Sequence, residues 1–311
     1  MATLMLTFAD LYGEAGLEIY DTRTPATTEL TESKLIANRA YLRFIDNMDW
    51  TFLTPETSIV LWPTTTTTAV TVATTTLTVA AQTFYPSMVG HAIVATTSGT
   101  IYTITAVASG GLSCTVDAAA TADNGDTFTI TADGNYALPA SCQEIIGEIS
   151  YPSNTGRRSI TGKSPDWIRQ RRSAGPATSD PYYFAEEATE FVTATGQRRR
   201  LMVYPTTSTL RTMGIVYRVH PTTMVETGDF PIGGEKHAMT ILACVRAECE
   251  RRSGGTANSG VREQEYQQAL AVSVERDNRN LAQSVGYNGN PATQQRYIDD
   301  RMNHVGGVSV S

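Results

Sequence analysis

A threonine-rich tract constrains the fold of this chain more than any other feature. Residues 62–82 read WPTTTTTAVTVATTTLTVAAQ, and nearly half of them are threonine. Low-complexity tracts of this kind are often solvated linkers. Here, however, Val70 and Val72 alternate with threonines, as do Leu77 and Val79, and β-branched residues favour an extended backbone. The tract therefore predicts two short strands with a break between the two pairs.

Four further segments continue this pattern. They read HAIVAT, TIYTITAV, LSCTV and DTFTIT, and the turn signals SG, GG and NG separate them. Between residues 63 and 131 only Asp117, Asp123 and Asp126 carry charge. Short strands at this spacing are typical of a small sandwich or barrel. Residues 63–131 are therefore predicted to form an inserted, threonine-rich β domain.

The residues before this tract predict two helices. Thr7 and Asp10 have the spacing of a capping box at the start of the first helix, and Thr31 or Ser33 is expected to cap the second. The apolar side of the second helix is broad, which implies burial on more than one of its sides. That side consists of Leu35, Ile36, Ala40, Leu42, Phe44 and Ile45.

After residue 131, strands come first and helices return. The segments NYALP, IIGEISY, PYYFAEE, TEFVTATG, RRLMVYP and GIVYRVHP predict antiparallel strands, and SPDW predicts the start of a short helix among them. Apolar stripes then predict two helices, one ending at Arg252 and one containing Tyr266. The predicted fold class is α+β: a helical bundle with antiparallel β-strands, plus the small all-β inserted domain.

Charge is distributed unevenly along the chain. The net charge is −7, yet no lysine or arginine lies between residues 44 and 156, while residues 157–220 hold 11 of them against 5 acidic residues. This positive segment could face phosphate or could pair with acidic neighbours. Arg198, Arg199 and Arg200 are weak candidates for contact with DNA in a channel, and a run of solvated charge is the commoner role of such residues.

The sequence predicts no catalytic, metal or cofactor site. TGKS at residues 161–164 resembles the end of a P-loop, but Arg157 replaces the first glycine and Pro165 interrupts the helix that should follow. The histidines are not spaced as ligand pairs, and His237, near a helix start, is expected to have a local polar role. The four cysteines lack paired spacing and are expected to be reduced, mostly buried thiols. We therefore do not predict an enzyme. We also predict no membrane span, because no apolar run reaches about 18 residues.

The order of several motifs resembles one known family. Helices precede WTF and YALP, and DPYYFAEE, RRLMVYPTTSTLRTMGIVYRVHPTTM and DFPIGGEKHAMTILACVRAECE follow. This order resembles that of the head–tail adaptor (connector, or head-completion) proteins of tailed bacteriophages, with Tyr204-Pro205 at the turn of the strand pair. The resemblance covers residues 1–62 and 132–285, which it identifies as the adaptor core, and the threonine-rich β domain interrupts it.

The resemblance implies a structural virion protein of the phage neck, made in the host bacterial cytoplasm. Such proteins assemble as a ring, commonly of twelve copies, that joins the portal protein to the tail or to further neck proteins. Genomic DNA passes through the lumen during ejection without specific binding. The resemblance also implies that an extended C-terminal tail, residues 286–311, docks on the portal. The candidate docking residues are Tyr297, Ile298, Met302, Val305, Val308 and Val310.

Two other functions stay open from the sequence alone. The β domain could be a surface-binding or adhesion module carried on a virion protein. Aromatic residues clustered on one face would favour this module, and only Phe84, Tyr85, Tyr102 and Phe128 are available. The second function is a phosphoryl-handling enzyme built on TGKS, which nucleotide binding would reveal.

Overall fold

The computed structural model describes residues 6–68, 70–152, 159–175, 177–190, 197–253 and 260–278. The helices in these ranges are α1 (Phe8–Tyr20), α2 (Thr27–Asp46), α3 (Pro165–Ala174), α4 (Gly234–Arg252) and α5 (Val261–Asn278). The strands are β1 (Glu56–Leu61), β2 (Thr65–Thr66), β3 (Thr71–Ala73), β4 (Thr76–Thr78), β5 (Ala92–Ala95), β6 (Ile101–Val107), β7 (Ser113–Val116), β8 (Phe128–Ile130), β9 (Asn135–Ala137), β10 (Cys142–Ser150), β11 (Thr161–Gly162), β12 (Tyr183–Ala188), β13 (Arg199–Tyr204) and β14 (Arg211–Val219). The predicted α+β fold class is confirmed.

Helices from both ends of the described chain form one helical bundle. α1 packs on α2 and α4, α2 packs on α4, and α4 packs on α5. α1 begins at the predicted capping box, in which Asp10 N–H donates to Thr7 Oγ1 at 3.2 Å and Thr7 N–H donates to Asp10 Oδ2 at 2.9 Å. The bundle core is one apolar cluster that includes Phe44, Trp50 and Ile241. Among the described helices, none combines the length and the apolar character that a membrane span requires.

The second helix differs from its prediction at its start and on its surface. α2 begins one turn earlier than Thr31, after Ala26, because the Glu29 carboxylate accepts the Ala26 N–H at 3.1 Å. The expectation that its whole broad apolar side is buried is wrong. Ile36, Ala40, Phe44 and Ile45 are buried, whereas Leu35 and Leu42 remain 48% and 39% exposed.

The threonine-rich tract contributes the first strands of a seven-stranded antiparallel sheet. Its strand order is β2-β8-β5-β6-β7-β4-β3, so all of its strands come from residues 65–130. The break expected in the tract is the turn of the β3–β4 hairpin, where Thr74 has a φ of 54°. β2 and β3 lie at opposite edges although only residues 67–70 separate them, which requires the sheet to curl.

The remaining strands form two smaller sheets. One has the order β1-β14-β10, and the other has the order β11-β12-β13-β9. β1 was missing from the sequence prediction; it pairs with β14, about 150 residues further along the chain. The predicted strand TEFVTATG falls largely on residues 191–196, outside the described residues. One apolar cluster runs through all three sheets, with Ile93, Tyr136 and Ile215 among its buried members.

α3 covers one face of the four-stranded sheet and is fixed there by a half-buried arginine. Ser164 caps the helix by accepting the Trp167 N–H at 3.3 Å, as predicted. Arg172 reaches the β9–β13 pair, donating through Nη1 to Asn135 Oδ1 at 2.9 Å and through Nη2 to the carbonyl oxygens of Gly134 and Val203 at 2.7 and 2.8 Å. Arg172 therefore ties the helix to two neighbouring strands at once.

Candidate functional site

The arginine row, Arg198, Arg199 and Arg200, lies at the start of β13 beside two glutamates of β12. Arg199 Nη1 contacts Glu186 Oε1 at 2.5 Å, and Arg200 donates through Nε and Nη2 to Glu187 Oε2 at 2.8 and 2.6 Å. Arg198 Nε is shielded from solvent and has no hydrogen-bond partner among the described residues. Within that part of the chain, Arg198 alone of the three has no carboxylate partner. The row is thus largely neutralised inside the sheet.

The arginine row borders a cleft between the seven-stranded sheet and the edge strand β9, here called the junction cleft. Its volume is about 640 Å³. Ala92 and Val94 of β5 contribute apolar surface, Thr103 and Thr105 of β6 lie beside them, and His91 lies at the junction of the two sheets. The cleft combines a cation, an apolar wall and a strand edge, which is a common composition for a site that binds a ligand or a peptide.

His91 connects the two sides of the junction cleft. Its Nδ1 lies 3.2 Å from the Met88 carbonyl oxygen, and its Nε2 lies 2.9 Å from the Asn135 carbonyl oxygen and 3.4 Å from Asp133 Oδ1. Burial lowers the pKa of His91, but the hydrogen bond and the charge of Asp133 raise it more, so the pKa is raised overall. All these neighbours are acceptors, and a protonated ring can donate from both nitrogens.

The seven-stranded sheet uses its three carboxylates internally. Asp126 accepts the Thr97 N–H at 2.8 Å and the Thr97 hydroxyl at 2.7 Å. Asp117 accepts the Thr103 N–H at 2.9 Å, and the buried Asp123 accepts the Tyr102 hydroxyl at 2.5 Å. Residues 63–131 contain no lysine or arginine. The sheet therefore offers partners a surface of hydroxyl and apolar groups with little charge to desolvate.

His237 lies in an aromatic cage inside the helical bundle, which differs from the predicted local polar role. Its ring centroid is 5.9, 5.0 and 5.3 Å from those of Phe44, Trp50 and Phe52. Neither ring nitrogen has a hydrogen-bond partner among the described residues. Burial lowers the pKa of His237, although the charge of Asp277 opposes this shift. The neutral imidazole is therefore the form that suits the folded bundle.

The helical bundle exposes an apolar stripe along α2. Leu35 and Leu42 lie on the same side of the helix as Asn38, three and four residues away. Asn38 holds the segment before α4, because its amide binds the backbone N–H and carbonyl of Met224, both at 3.0 Å. Val225, the next residue, is 62% exposed. We define the α2 stripe as Leu35, Leu42 and Val225; exposed apolar surface of this kind is typical of a protein contact.

The remaining sequence candidates do not come together as a catalytic centre among the described residues. Thr161 and Gly162 of TGKS form β11, and Ser164 caps α3, so this segment is a helix start and not a phosphate loop. No group of three or more His, Cys, Asp or Glu residues in the described ranges could hold a metal ion. The four cysteines, Cys114, Cys142, Cys244 and Cys249, are free and buried, and burial raises the pKa of each thiol to about 12.

The candidate docking residues of the C-terminal tail lie outside the described residues. These are Tyr297, Ile298, Met302, Val305, Val308 and Val310. The last described residue is Asn278, near the end of α5.

The model of the SU10 adaptor protein family matches residues 116–287, more than half of the chain. The chain belongs to the SU10 adaptor protein family. No curated protein matches it.

Family membership indicates a phage structural adaptor that interacts with other structural proteins of the virion. The matched range contains β8 to β14 and α3 to α5, and so includes the arginine row and most of the β part of the adaptor core. It begins inside the predicted β domain, at the end of β7. The helices α1 and α2, with the leucines of the α2 stripe, lie outside the matched range.

Proposed function

We propose that this SU10-family adaptor assembles as a ring in the neck of a tailed phage. The ring has twelve copies, the number common among head–tail adaptors. The ring joins the portal to the tail or to further neck proteins and continues the DNA channel. The observation that carries this proposal is the α2 stripe, because a phage structural adaptor that leaves Leu35 and Leu42 exposed as a single chain has a surface suited to a neighbouring copy.

Ring assembly is tested by charge substitutions on α2. We expect the double variant Leu35→Glu, Leu42→Glu to keep the circular dichroism spectrum of the wild type, since both side chains are exposed, and to lose the ring in native mass spectrometry with purified portal. The control is the double variant Ile101→Glu, Leu112→Glu, which places the same charge at two exposed apolar positions in or beside the seven-stranded sheet, away from α2. A ring that forms equally well in the double variant would contradict the proposal.

The channel is proposed to pass DNA without gripping it. Two of the three charges of the arginine row are neutralised by glutamates, and the net charge of −7 opposes DNA at long range. In gel shifts at moderate salt we expect little binding of duplex DNA by either the wild type or the triple alanine variant at 198–200. Tight, salt-sensitive binding that the triple variant loses would indicate a role in DNA handling instead.

The C-terminal tail is proposed to dock on the portal. From residue 286 onward it has too few apolar residues for a core, but Val308 and Val310 alternate with serines, as in a strand added to a partner's sheet edge. A truncation after Gly286 is expected to leave the melting temperature nearly unchanged and to abolish co-migration with portal. A matched control replaces the same residues with a Gly/Ser segment of equal length. Undiminished portal binding by the truncated chain would refute this assignment.

The adhesion alternative gains no support from the seven-stranded sheet. Phe84, Tyr102 and Phe128 are buried in its core, and Tyr85 is partly buried against that core. The aromatic platform that glycan recognition would use is absent from the described surface of this sheet. Glycan-array binding by the intact protein would reverse this conclusion.

A further inference from the structure

We propose that the junction cleft binds an extended, acidic peptide segment of a partner protein, which adds a strand to the free edge of β9. This site is distinct from the α2 stripe and from the C-terminal tail. It stands whether or not the chain forms a ring, so a failure of either proposal leaves the other intact.

The free edge of β9 supplies the backbone groups for strand addition. β9 is the last strand of its sheet, with β13 on one side and no described strand on the other. Val203 N–H donates to the Gly134 carbonyl at 2.9 Å, and Leu138 N–H donates to the Arg199 carbonyl at 3.1 Å. In an antiparallel pair such bonds occur at every second residue. The backbone groups of Ala137, between these bonds, therefore point away from β13.

Asn135 shows that the unpaired backbone groups of β9 point into the cleft. Like Ala137, it lies between bonded positions, and its carbonyl oxygen accepts from His91 Nε2 at 2.9 Å across the cleft. Ala137 lines the same cleft. Its N–H and carbonyl are thus presented to the cleft, where an extended peptide can pair with them as a strand. The backbone groups of Asn135 are already used, its N–H by Asp133 Oδ1 at 2.9 Å and its carbonyl by His91, so Ala137 is the part of this edge that stays open to a partner.

The charge in the cleft selects an acidic segment. Arg198 has no carboxylate partner among the described residues. A peptide carboxylate that reaches its guanidinium from the cleft gains a charge-assisted hydrogen bond. The cleft also contains two carboxylates of its own. Asp133 is engaged by His91 and Asn135, and Glu190 is exposed to solvent, which screens its charge.

The opposite wall favours a peptide over nucleic acid. Ala92 and Val94 line the cleft on the side of the seven-stranded sheet. An added strand points alternate side chains to opposite faces, so that apolar side chains can pack on this wall while acidic ones face Arg198. A phosphate backbone has no apolar groups to cover this wall and no N–H or carbonyl groups spaced to pair with Ala137. The geometry therefore fits a peptide of alternating apolar and acidic residues.

The test uses the full chain and three labelled heptapeptides in fluorescence anisotropy. The first peptide alternates valine and glutamate, the second has glutamine in place of glutamate, and the third is the first with N-methylated backbone amides. We expect saturable binding of the first below 1 mM, with at least tenfold weaker binding of the second and third. The second tests the charge, and the third tests strand pairing.

Two substitutions locate the binding site. Arg198→Ala is expected to lower the affinity for the glutamate peptide at least tenfold while barely changing the affinity for the glutamine peptide. Arg198→Lys is expected to restore part of the lost affinity. Ala137→Pro removes the N–H that points away from β13 and leaves the hydrogen bonds to β13 in place. It is expected to lower the affinity for both peptides. Leu210→Ala, at an exposed apolar position outside the cleft, is the matched control. Circular dichroism confirms that each variant is folded.

Four outcomes would overturn the proposal. They are no binding of the first peptide at 1 mM, equal binding of the glutamate and glutamine peptides, affinity unchanged in Arg198→Ala, and competition by a short DNA duplex that binds more tightly than the peptide. The last outcome would assign the cleft to phosphate.

Discussion

Replacement of Arg172 by methionine should destabilise the β part of the chain more than any substitution of a surface arginine. The substitution keeps most of the aliphatic volume and removes the guanidinium that joins α3 to Gly134, Asn135 and Val203. Burial lowers the pKa of Arg172, which shows that its charge is partly withdrawn from water. The three hydrogen bonds compensate for part of that desolvation, since the buried Nε has no hydrogen-bond partner among the described residues.

The magnitude follows from which acceptors lose their partner. The Gly134 carbonyl still accepts the Val203 N–H at 2.9 Å, so it remains satisfied without Arg172. Asn135 Oδ1 and the Val203 carbonyl lose their donor. Val203 is buried and Asn135 is partly buried, and an unsatisfied buried acceptor costs about 1–3 kcal/mol. Removing the desolvated charge returns part of this free energy. We therefore expect Arg172→Met to lower the free energy of unfolding by about 2–4 kcal/mol.

The assay is urea unfolding followed by circular dichroism and tryptophan fluorescence, with Arg171→Met as the matched control on the same helix. Arg171 is exposed, and its guanidinium lies 5.2 Å from the Trp167 ring centroid. Losing this contact should cost about 0.5–1 kcal/mol. The reasoning would be refuted if the free energy of unfolding of Arg172→Met lay within about 0.5 kcal/mol of that of the wild type. It would also be refuted if both variants lost the same free energy of unfolding.

Two further predictions concern the two cores. Deleting residues 63–131 and joining the ends with a short Gly/Ser link is expected to leave a cooperatively melting, helix-rich remainder, because the bundle core contains no residue of this range. The deletion also removes part of the apolar cluster that the three sheets share, and a molten remainder in near-UV circular dichroism would show that the tract belongs to the main core. His237→Phe is expected to be at least as stable as the wild type at pH 7.5 and clearly more stable at pH 5.5. Burial lowers the folded-state pKa of His237, so its contribution to stability is complete above the ordinary value of 6.5 and decreases as the pH falls below it. If acidification lowered the melting temperatures of the wild type and of His237→Phe equally, His237 would not be the source of the acid sensitivity.

Local patterns predicted those elements whose signals lie within a few neighbouring residues. The capping box at Thr7 fixed the start of α1, and alternation of β-branched residues identified β3 and β4 within a low-complexity tract. The start of α2 was missed because Glu29 supplies a reverse cap to Ala26, which has no capping side chain of its own. Leu35 and Leu42 were expected to be buried, since periodicity shows which residues share a helix face but not what covers that face.

The junction cleft could not be predicted from the sequence, for a topological reason. His91, Asn135 and Arg198 lie on segments 40 to 110 residues apart, and no spacing rule connects them. The sequence did single out the arginine row by its charge. It could not show that glutamates one strand away pair with Arg199 and Arg200 and not with Arg198, because the register of β12 on β13 decides the pairing.

The helical bundle joins segments from the two ends of the described chain, and this affects how the protein is made. α1 and α2 leave the ribosome early, but they pack against α4, which follows only after the strands of all three sheets have been synthesised. At ordinary elongation rates that interval is roughly 10–40 s. During this time the first two helices form a hairpin whose inner apolar face has no partner. We therefore expect the growing chain to be open to chaperones and to premature association until α4 covers this face.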